Sequence, residues 1–385
     1  MHVLHVSCVR DRLNRSGDAL LDAWATLPAV AEAVQGAGAR VTVLQASHAD
    51  EVLHRGGVEY RFVAEPRVPS PRFATGWMPH RLARAAAALR PDVIHLNGLG
   101  FPLHARALTT LGIPILAQDH ANQLPRRFRA LHRWGLAGVD AVAYTARALS
   151  EPFFAEGLLR PGTRVFELPE SSSRFTPGDQ EEARAATGIH GDPALLWVGR
   201  LNDNKDPLTI LDAVSRVAPH LPDARLWCCF AEAPLLPAVK ARLAAEPALA
   251  ARVHLLGTVP HERVETLCRA VDLFVLGSRR EAAGYAVLEA LACGTAPVVS
   301  DIPAFRALTG GGGVGALATM GDADAFAAGI VALARRPREE VRAETVAHFR
   351  RELSFEVLGA RLVDAYGEMI DGRASRRSPE PAEAR

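Results

Sequence analysis

The feature that most constrains this chain is a regular alternation of short apolar runs with longer amphipathic segments. Met1–Cys8, Arg40–Gln45, Val58–Val63, Asp92–Leu96, Ile113–Gln118 and Ala141–Tyr144 are brief and rich in Val, Ile and Leu, as buried strands are. Ala19–Ala37 and the alanine-rich Arg81–Leu89 lie between them with helical spacing. Parallel strands need a long crossover, and a helix supplies it. The pattern therefore predicts a parallel sheet with helices on both faces. A second alternating set runs from Ala194 to about Leu333. Pro169-Glu170-Ser171-Ser172-Ser173, closed by Pro177-Gly178-Asp179, is the linker expected between the sets. The expected fold class is α/β, with two doubly wound domains facing a cleft. Their bounds are 1–172 and 173–353, followed by a helix over 354–372. Val357, Leu358, Leu362, Ala365 and Met369 give that helix its spacing. The charged residues 373–385, with Ser378-Pro379-Glu380-Pro381, read as a disordered tail.

The chain has 385 residues, of which 49% are hydrophobic, enough for two cores. A formal net charge of +1 argues against a broad nucleic-acid surface, so no nucleic-acid partner is expected. Asp11, Arg12 and Arg15 follow the first strand at once, leaving no secretory apolar stretch there. No run reaches the length of a membrane span. Cys8, Cys228, Cys229, Cys268 and Cys293 form no Cys-x-x-Cys pair and read as buried, reduced thiols of a cytoplasmic protein.

Two stretches carry the chemistry. Val271–Ser278 reads as a strand, followed by Arg279, Arg280 and Glu281. A helix then begins near Gly284 and carries Glu289, with Ala286, Leu288, Ala290 and Leu291 on its apolar side. Gly294 and Pro297 are expected to end it. A helix start beside a residue without a side chain favours an anion, with Gly284-Tyr285-Ala286 as backbone donors. Upstream, Ala194–Gly199 reads as a strand, followed by Arg200, the turn Leu201–Asn204 and Lys205, and then a helix over Pro207–Val217. Ligands of open α/β sheets bind at such strand ends. Arg offers a planar fork and Lys a point charge to phosphate oxygens. As polar loop residues, both are expected to tolerate truncation at little cost in stability. Glu289, an acceptor when ionised, suits a ribose diol, and Glu281 suits sugar hydroxyls. The competing reading pairs these glutamates with Arg279 or Arg280 on the surface.

Together these stretches resemble the retaining GT-B glycosyltransferases of the GT4 family (glycosyl transferases group 1). That family carries a Gly-Arg…Lys element and a Glu-x7-Glu element in this order. Ser278, Gly284, Leu288, Ala290, Gly294, Pro297 and Ser300 also match it. The resemblance implies two Rossmann-like domains, with the first binding the acceptor, the second the donor and the last helix crossing back to the first. It implies transfer of a hexose-type sugar from a UDP-, GDP- or ADP-linked donor to a small-molecule, glycan or lipid hydroxyl, with retained configuration. No cofactor and no metal are implied. By the same resemblance His120, at the end of Ile113–Gln118, contacts the sugar, making His120, Arg200, Lys205 and Glu281 the catalytic set. Gly17, Gly199, Val259, Gly284, Tyr285, Ala286 and Glu289 complete the donor side, and Asn97 and Gly98 line the acceptor side. The chain departs from the family in three places. Ala282-Ala283 replaces Gly-Phe, Gly277 replaces a proline, and Ser16-Gly17-Asp18 stands where the first loop carries Gly-Gly.

Other motifs read differently. Gly310, Gly312 and Gly315 fit Gly-x-Gly-x-x-Gly but follow a helical run, the reverse of the dinucleotide order, and read as a loop over the donor site. Asp322-Ala323-Asp324 resembles a metal motif, yet Asp322 is placed to cap a helix. Arg126, Arg127, Arg129, His132 and Arg133 form either a solvated helix face or a contact for an acidic acceptor or the inner face of a membrane. Rival functions are a degenerate nucleotide-sugar binder, a sugar phosphorylase and a nicotinamide-dependent dehydrogenase.

Overall fold

The structure is a computed structural model that describes residues 1–65 and 79–377, with side chains as far as 373. It divides into two compact units. One is Met1–Ser171 with the chain from Phe355 onward, and the other is Ser172–Ser354.

The first unit holds β1 (His2–Ser7), β2 (Arg40–Ser47), β3 (Glu51–Arg55), β4 (Val58–Ala64), β5 (Val93–Asn97), β6 (Ile115–Gln118), β7 (Ala141–Tyr144) and β8 (Arg164–Glu167). Their order is β3-β4-β2-β1-β5-β6-β7-β8, parallel throughout except for the β3–β4 hairpin. Gly56 and Gly57 turn that hairpin with φ of 57° and 78°, a conformation that favours glycine. No apolar run predicts β3. It is a sheet edge whose residues are at most half-buried, so no apolar pattern marks it. The expected Ala19–Ala37 helix is two helices, Gly17–Ala23 and Thr26–Gly36. Pro28 explains the break, because its ring excludes the carbonyl four residues earlier, at Trp24.

Strand alternation gives this sheet two apolar faces. Val3 points to one and Leu4 and Val6 to the other. The first face is covered by the last helix, Phe355–Arg377. Leu358, Leu362, Ala365, Tyr366 and Met369 are buried there against Val30, Ala31 and Val34. Each large apolar side chain contributes roughly 1.5–3 kcal/mol by leaving water. The helix continues past the expected end, so 373–377 are helical rather than part of a tail. Arg373 lies 3.4 Å from the Asp140 carboxylate. The remaining tail residues, 378–385, lie outside the described residues.

The second unit holds β9 (Ala194–Val198), β10 (Arg225–Cys229), β11 (Val253–Gly257), β12 (Leu273–Leu276), β13 (Ala296–Ser300) and β14 (Ala316–Ala318). They form a parallel sheet ordered β11-β10-β9-β12-β13-β14. Counted within the unit, this is the doubly wound order 3-2-1-4-5-6. The helix after β12 is Tyr285–Ala292. Gly294, at φ 82°, follows its end. Pro297 does not end the helix as expected, but sits inside β13 opposite Phe274. All five cysteines are buried free thiols. Among the described residues no helix is long and apolar enough to cross a membrane.

Candidate functional site

In the second unit the strand order reverses between β9 and β12, and there the sheet opens. Leu273 pairs with Leu195 and Phe274 with Leu196, but no further pair is formed before the two strands end. Ligands of doubly wound sheets bind in such crevices at the carboxyl ends of the strands. The loops leaving β9 and β12 meet across this gap. Arg279 N–H donates to the Asn204 carbonyl at 2.7 Å, and Asn204 Nδ2 donates to the Arg280 carbonyl at 3.0 Å. The Arg279 guanidinium sits 3.0 Å from the Asp206 carboxylate. Asp206, at φ 43°, accepts from Thr209 N–H and so caps the Pro207–Val217 helix.

Lys205 and Glu281 are brought together by this stitching. Lys205 Nζ lies 2.5 Å from Glu281 Oε1, with the side chains only 19% and 13% exposed. Glu281 therefore pairs with neither Arg279 nor Arg280. Arg200 is different, since it is 64% exposed and 3.5 Å from an equally exposed Glu232. Gly199 follows β9, its N–H bonded to the Cys229 carbonyl.

Gly284 caps the Tyr285–Ala292 helix at φ 65°. A side chain there would press on Phe305 and Leu308, with a Cβ 3.0 Å from each. Only glycine meets both the backbone and the packing demand. Tyr285 is exposed and Ala286 half-buried at the helix start. Further along, Glu289 accepts a 2.6 Å hydrogen bond from His261 Nε2. That bond raises the His261 imidazole above its usual range. His261 also packs on Phe175, with ring centroids 5.1 Å apart. His261 escaped the sequence reading because its partner lies far along the chain. Its one local signal is its place just after Val259-Pro260, in the connection leaving β11. Val259 itself is half-buried against the core of this unit.

The remaining site residues belong to the first unit. His120 leaves β6 with its ring between two oxygens, Asn97 Oδ1 at 3.1 Å and Glu170 Oε2 at 3.2 Å. Asn122 Oδ1 accepts from Leu99 N–H and His120 N–H, joining the loops after β5 and β6. Gly98, at φ 97°, donates to the Gln118 carbonyl. Burial pushes the neighbouring Asp119 carboxyl up to about 6, against hydrogen bonds that lower it and with Glu170 adding to the rise. His5 is driven down to about 3 by burial. Gly17 is buried with its N–H 2.9 Å from Glu51 Oε2, and Leu53 and Phe62 leave no room for a side chain. That N–H ties the first helix to the β3 edge.

Two side motifs are resolved by geometry. Asp322 Oδ1 accepts from the N–H groups of Asp324 and Ala325, so it is a helix cap. Gly310–Gly315 follows the Pro303–Leu308 helix and precedes β14, the reverse of the dinucleotide arrangement. In the basic cluster, Arg129 pairs with Glu156, and Arg133 donates to the Gly157 carbonyl.

The chain matches the model of glycosyl transferases group 1 over residues 179–348 and that of glycosyltransferase family 4 over residues 27–153. It is 32% identical over 203 residues to a D-inositol 3-phosphate glycosyltransferase of Mycobacterium tuberculosis. That stretch is 51% of this chain and 42% of the relative, so the match spans less than half the length of such curated relatives. Among solved structures it resembles Anabaena Alr3699/HepE in complex with UDP, with a TM-score of 0.68 at 16% identity over 96% of this chain and 100% of that one. It also resembles the sucrose-phosphate synthase of Thermosynechococcus elongatus, with a TM-score of 0.64 at 18% identity, covering 96% and 99%. The two doubly wound units with a returning helix, and the two family models on successive halves, agree: the chain belongs to the GT4 family of GT-B glycosyltransferases.

Proposed function

We propose that this chain moves a sugar from a nucleotide-diphosphate sugar to an acceptor hydroxyl, with retention of configuration and without a metal ion. The observation that carries the reading is the meeting of Lys205 with Glu281 at the β9/β12 crevice, beside the Gly284 helix start. Fold relatives solved with UDP or UDP-glucose support a nucleotide-sugar donor.

The chemistry follows from where charge grows. As the bond between the anomeric carbon and the phosphate oxygen breaks, its electron pair goes to the leaving diphosphate. Lys205, Arg200 and the Gly284 helix start stabilise that charge more in the transition state than before it. Charge-assisted hydrogen bonds contribute about 1.5–3 kcal/mol each. The acceptor oxygen bonds to the anomeric carbon from the face the phosphate leaves. Its proton passes to the departing phosphate oxygen, so no protein base is required. Glu289 holds the ribose diol and Glu281 the hydroxyls of the transferred sugar. The donor would exchange its own contacts for the Lys205–Glu281 and His261–Glu289 pairs. His120 is assigned to the sugar on resemblance alone.

A thermal-shift screen against UDP, GDP, ADP and their sugars is the direct test, because a ligand of the folded state alone raises its stability. At least one nucleotide should raise Tm, and its sugar should then be transferred to give a product with the donor's anomeric configuration by NMR. An inverted product would reject retention, and no shift with any nucleotide would reject the donor class.

A further inference from the structure

Glu289, assigned above to the ribose, is already engaged. Its Oε1 accepts a 2.6 Å hydrogen bond from His261 Nε2. The carboxylate is largely buried, while the imidazole is 71% exposed. Both belong to the second unit. Glu289 lies on the Tyr285–Ala292 helix, and His261 opens the preceding helix, His261–Ala270, which follows β11. Phe175 also holds the imidazole, with ring centroids 5.1 Å apart. The chain beside Phe175 is fixed in turn, because the N–H and hydroxyl of Thr176 both donate to Glu265 Oε1, at 2.8 and 3.2 Å, one helical turn beyond His261. Resting on the donor assignment above, we propose that His261 is a proton-linked gate on the nucleotide site. It holds Glu289 while the site is empty, and a donor that takes Glu289 over releases a proton.

A ribose diol brings two hydroxyl donors to a carboxylate with two acceptor oxygens. One of those oxygens already carries the His261 N–H, so the diol and the imidazole compete for it. The competition depends on pH, because the Glu289 hydrogen bond raises the imidazole above its ordinary value of about 6.5. Burial opposes that rise, and Glu262 and Glu265 of its own helix add to it. Those two carboxylates stay beside His261 when a donor binds, with Glu265 also paired to Arg269. Only the Glu289 contribution is lost. On the Glu289 side stand two thiols, Cys229, raised by burial, and Cys268, raised by its hydrogen bond with Cys293 and by burial, and both are neutral near pH 7. Below about 6.5 the imidazole is charged with or without a donor, so affinity is flat there. Above that value the empty site holds a proton that the filled site does not. Affinity then rises with pH until the raised value is passed.

Calorimetric titrations of the full chain with UDP-glucose, GDP-glucose and ADP-glucose test the gate. Nucleotide sugars are the probes because their esterified phosphates lack the second ionisation, near about 6, of a terminal phosphate. The sugar nucleotide that binds should do so about threefold or more tightly at about pH 8.5 than at about pH 6. Near neutral pH, two buffers of different ionisation enthalpy should reveal net proton release. His261→Gln keeps a neutral donor to Glu289 and His261→Ala keeps none. Both should lose the pH dependence and the proton release, with circular dichroism unchanged, and His261→Ala should bind more tightly than the wild type at about pH 6. Proton uptake, an affinity that is flat or falls as pH rises, or a pH dependence that survives in both variants would overturn the gate while leaving the donor assignment standing. Failure of all three sugar nucleotides to bind at either pH would overturn the donor assignment and the gate with it.

Discussion

Lys205 and Glu281, 76 residues apart in the chain, form an ion pair at 2.5 Å that closes the crevice where the second sheet reverses its strand order. Neither side chain is a free loop charge. On the proposed function, the cation assigned to phosphate and the carboxylate assigned to the sugar neutralise one another until a donor enters between them.

That pairing separates the two cations. Arg200→Ala removes an exposed side chain, and stability should change by no more than about 0.5 kcal/mol. Lys205→Ala leaves the largely buried Glu281 carboxylate without its partner and should cost about 1–3 kcal/mol. The structure thus overturns the expectation that both truncations are cheap. Both variants should lose at least about tenfold in transfer rate. Urea denaturation and initial rates at saturating acceptor measure the two effects. Wild-type turnover by either variant rejects the phosphate role.

The two glutamates should differ in kinetics. On the proposed assignment Glu289 holds the ribose, which does not change during reaction, so Glu289→Ala should raise the donor KM with a modest change in kcat. On the same assignment Glu281 faces the sugar, which gains positive character, so Glu281→Ala should mainly lower kcat. Calorimetry with the nucleoside diphosphate should show weaker binding in Glu289→Ala alone. Equal loss in both variants means that sugar and ribose are placed wrongly.

His261 gives a pH signature. Its hydrogen bond to Glu289 raises the imidazole pKa in the folded state. The stabilisation is therefore complete below the unfolded value, near about 6.5, and disappears as pH rises through the raised folded value. The Tm gap between wild type and His261→Ala should be present at about pH 5.5 and absent at about pH 9. A gap that grows with pH contradicts the assignment.

Two glycines should resist change for different reasons. Gly284→Ala places a Cβ at φ 65° against Phe305 and Leu308 and should cost at least about 1–2 kcal/mol. Gly359→Ala drives a Cβ into the Ala33 carbonyl oxygen, separating the last helix from Thr26–Gly36. Urea midpoints report both, and an unchanged midpoint for Gly359→Ala would place that helix elsewhere.

Transfer should persist in EDTA, because side-chain cations and a helix start are assigned the charge that a metal would otherwise meet. Complete loss, restored by Mg²⁺ or Mn²⁺, would overturn that assignment.

The sequence by itself determined the α/β alternation and the bounds of β7 and of the Pro207–Val217 helix. These are local properties, namely apolar period, glycine and proline placement, and motif spacing. Only the tertiary structure decided which charges meet. Lys205 finds Glu281, Glu289 finds His261, and Arg279 finds Asp206 through loops from different strands, and no spacing along one strand or helix encodes such contacts. The same holds for β3 and for Gly17. An exposed edge strand carries no apolar pattern, so the sequence could not show that Glu51 takes the Gly17 N–H. Local pattern is fixed by neighbours in the chain, whereas partnership between charges is fixed by where the sheet brings its strand ends.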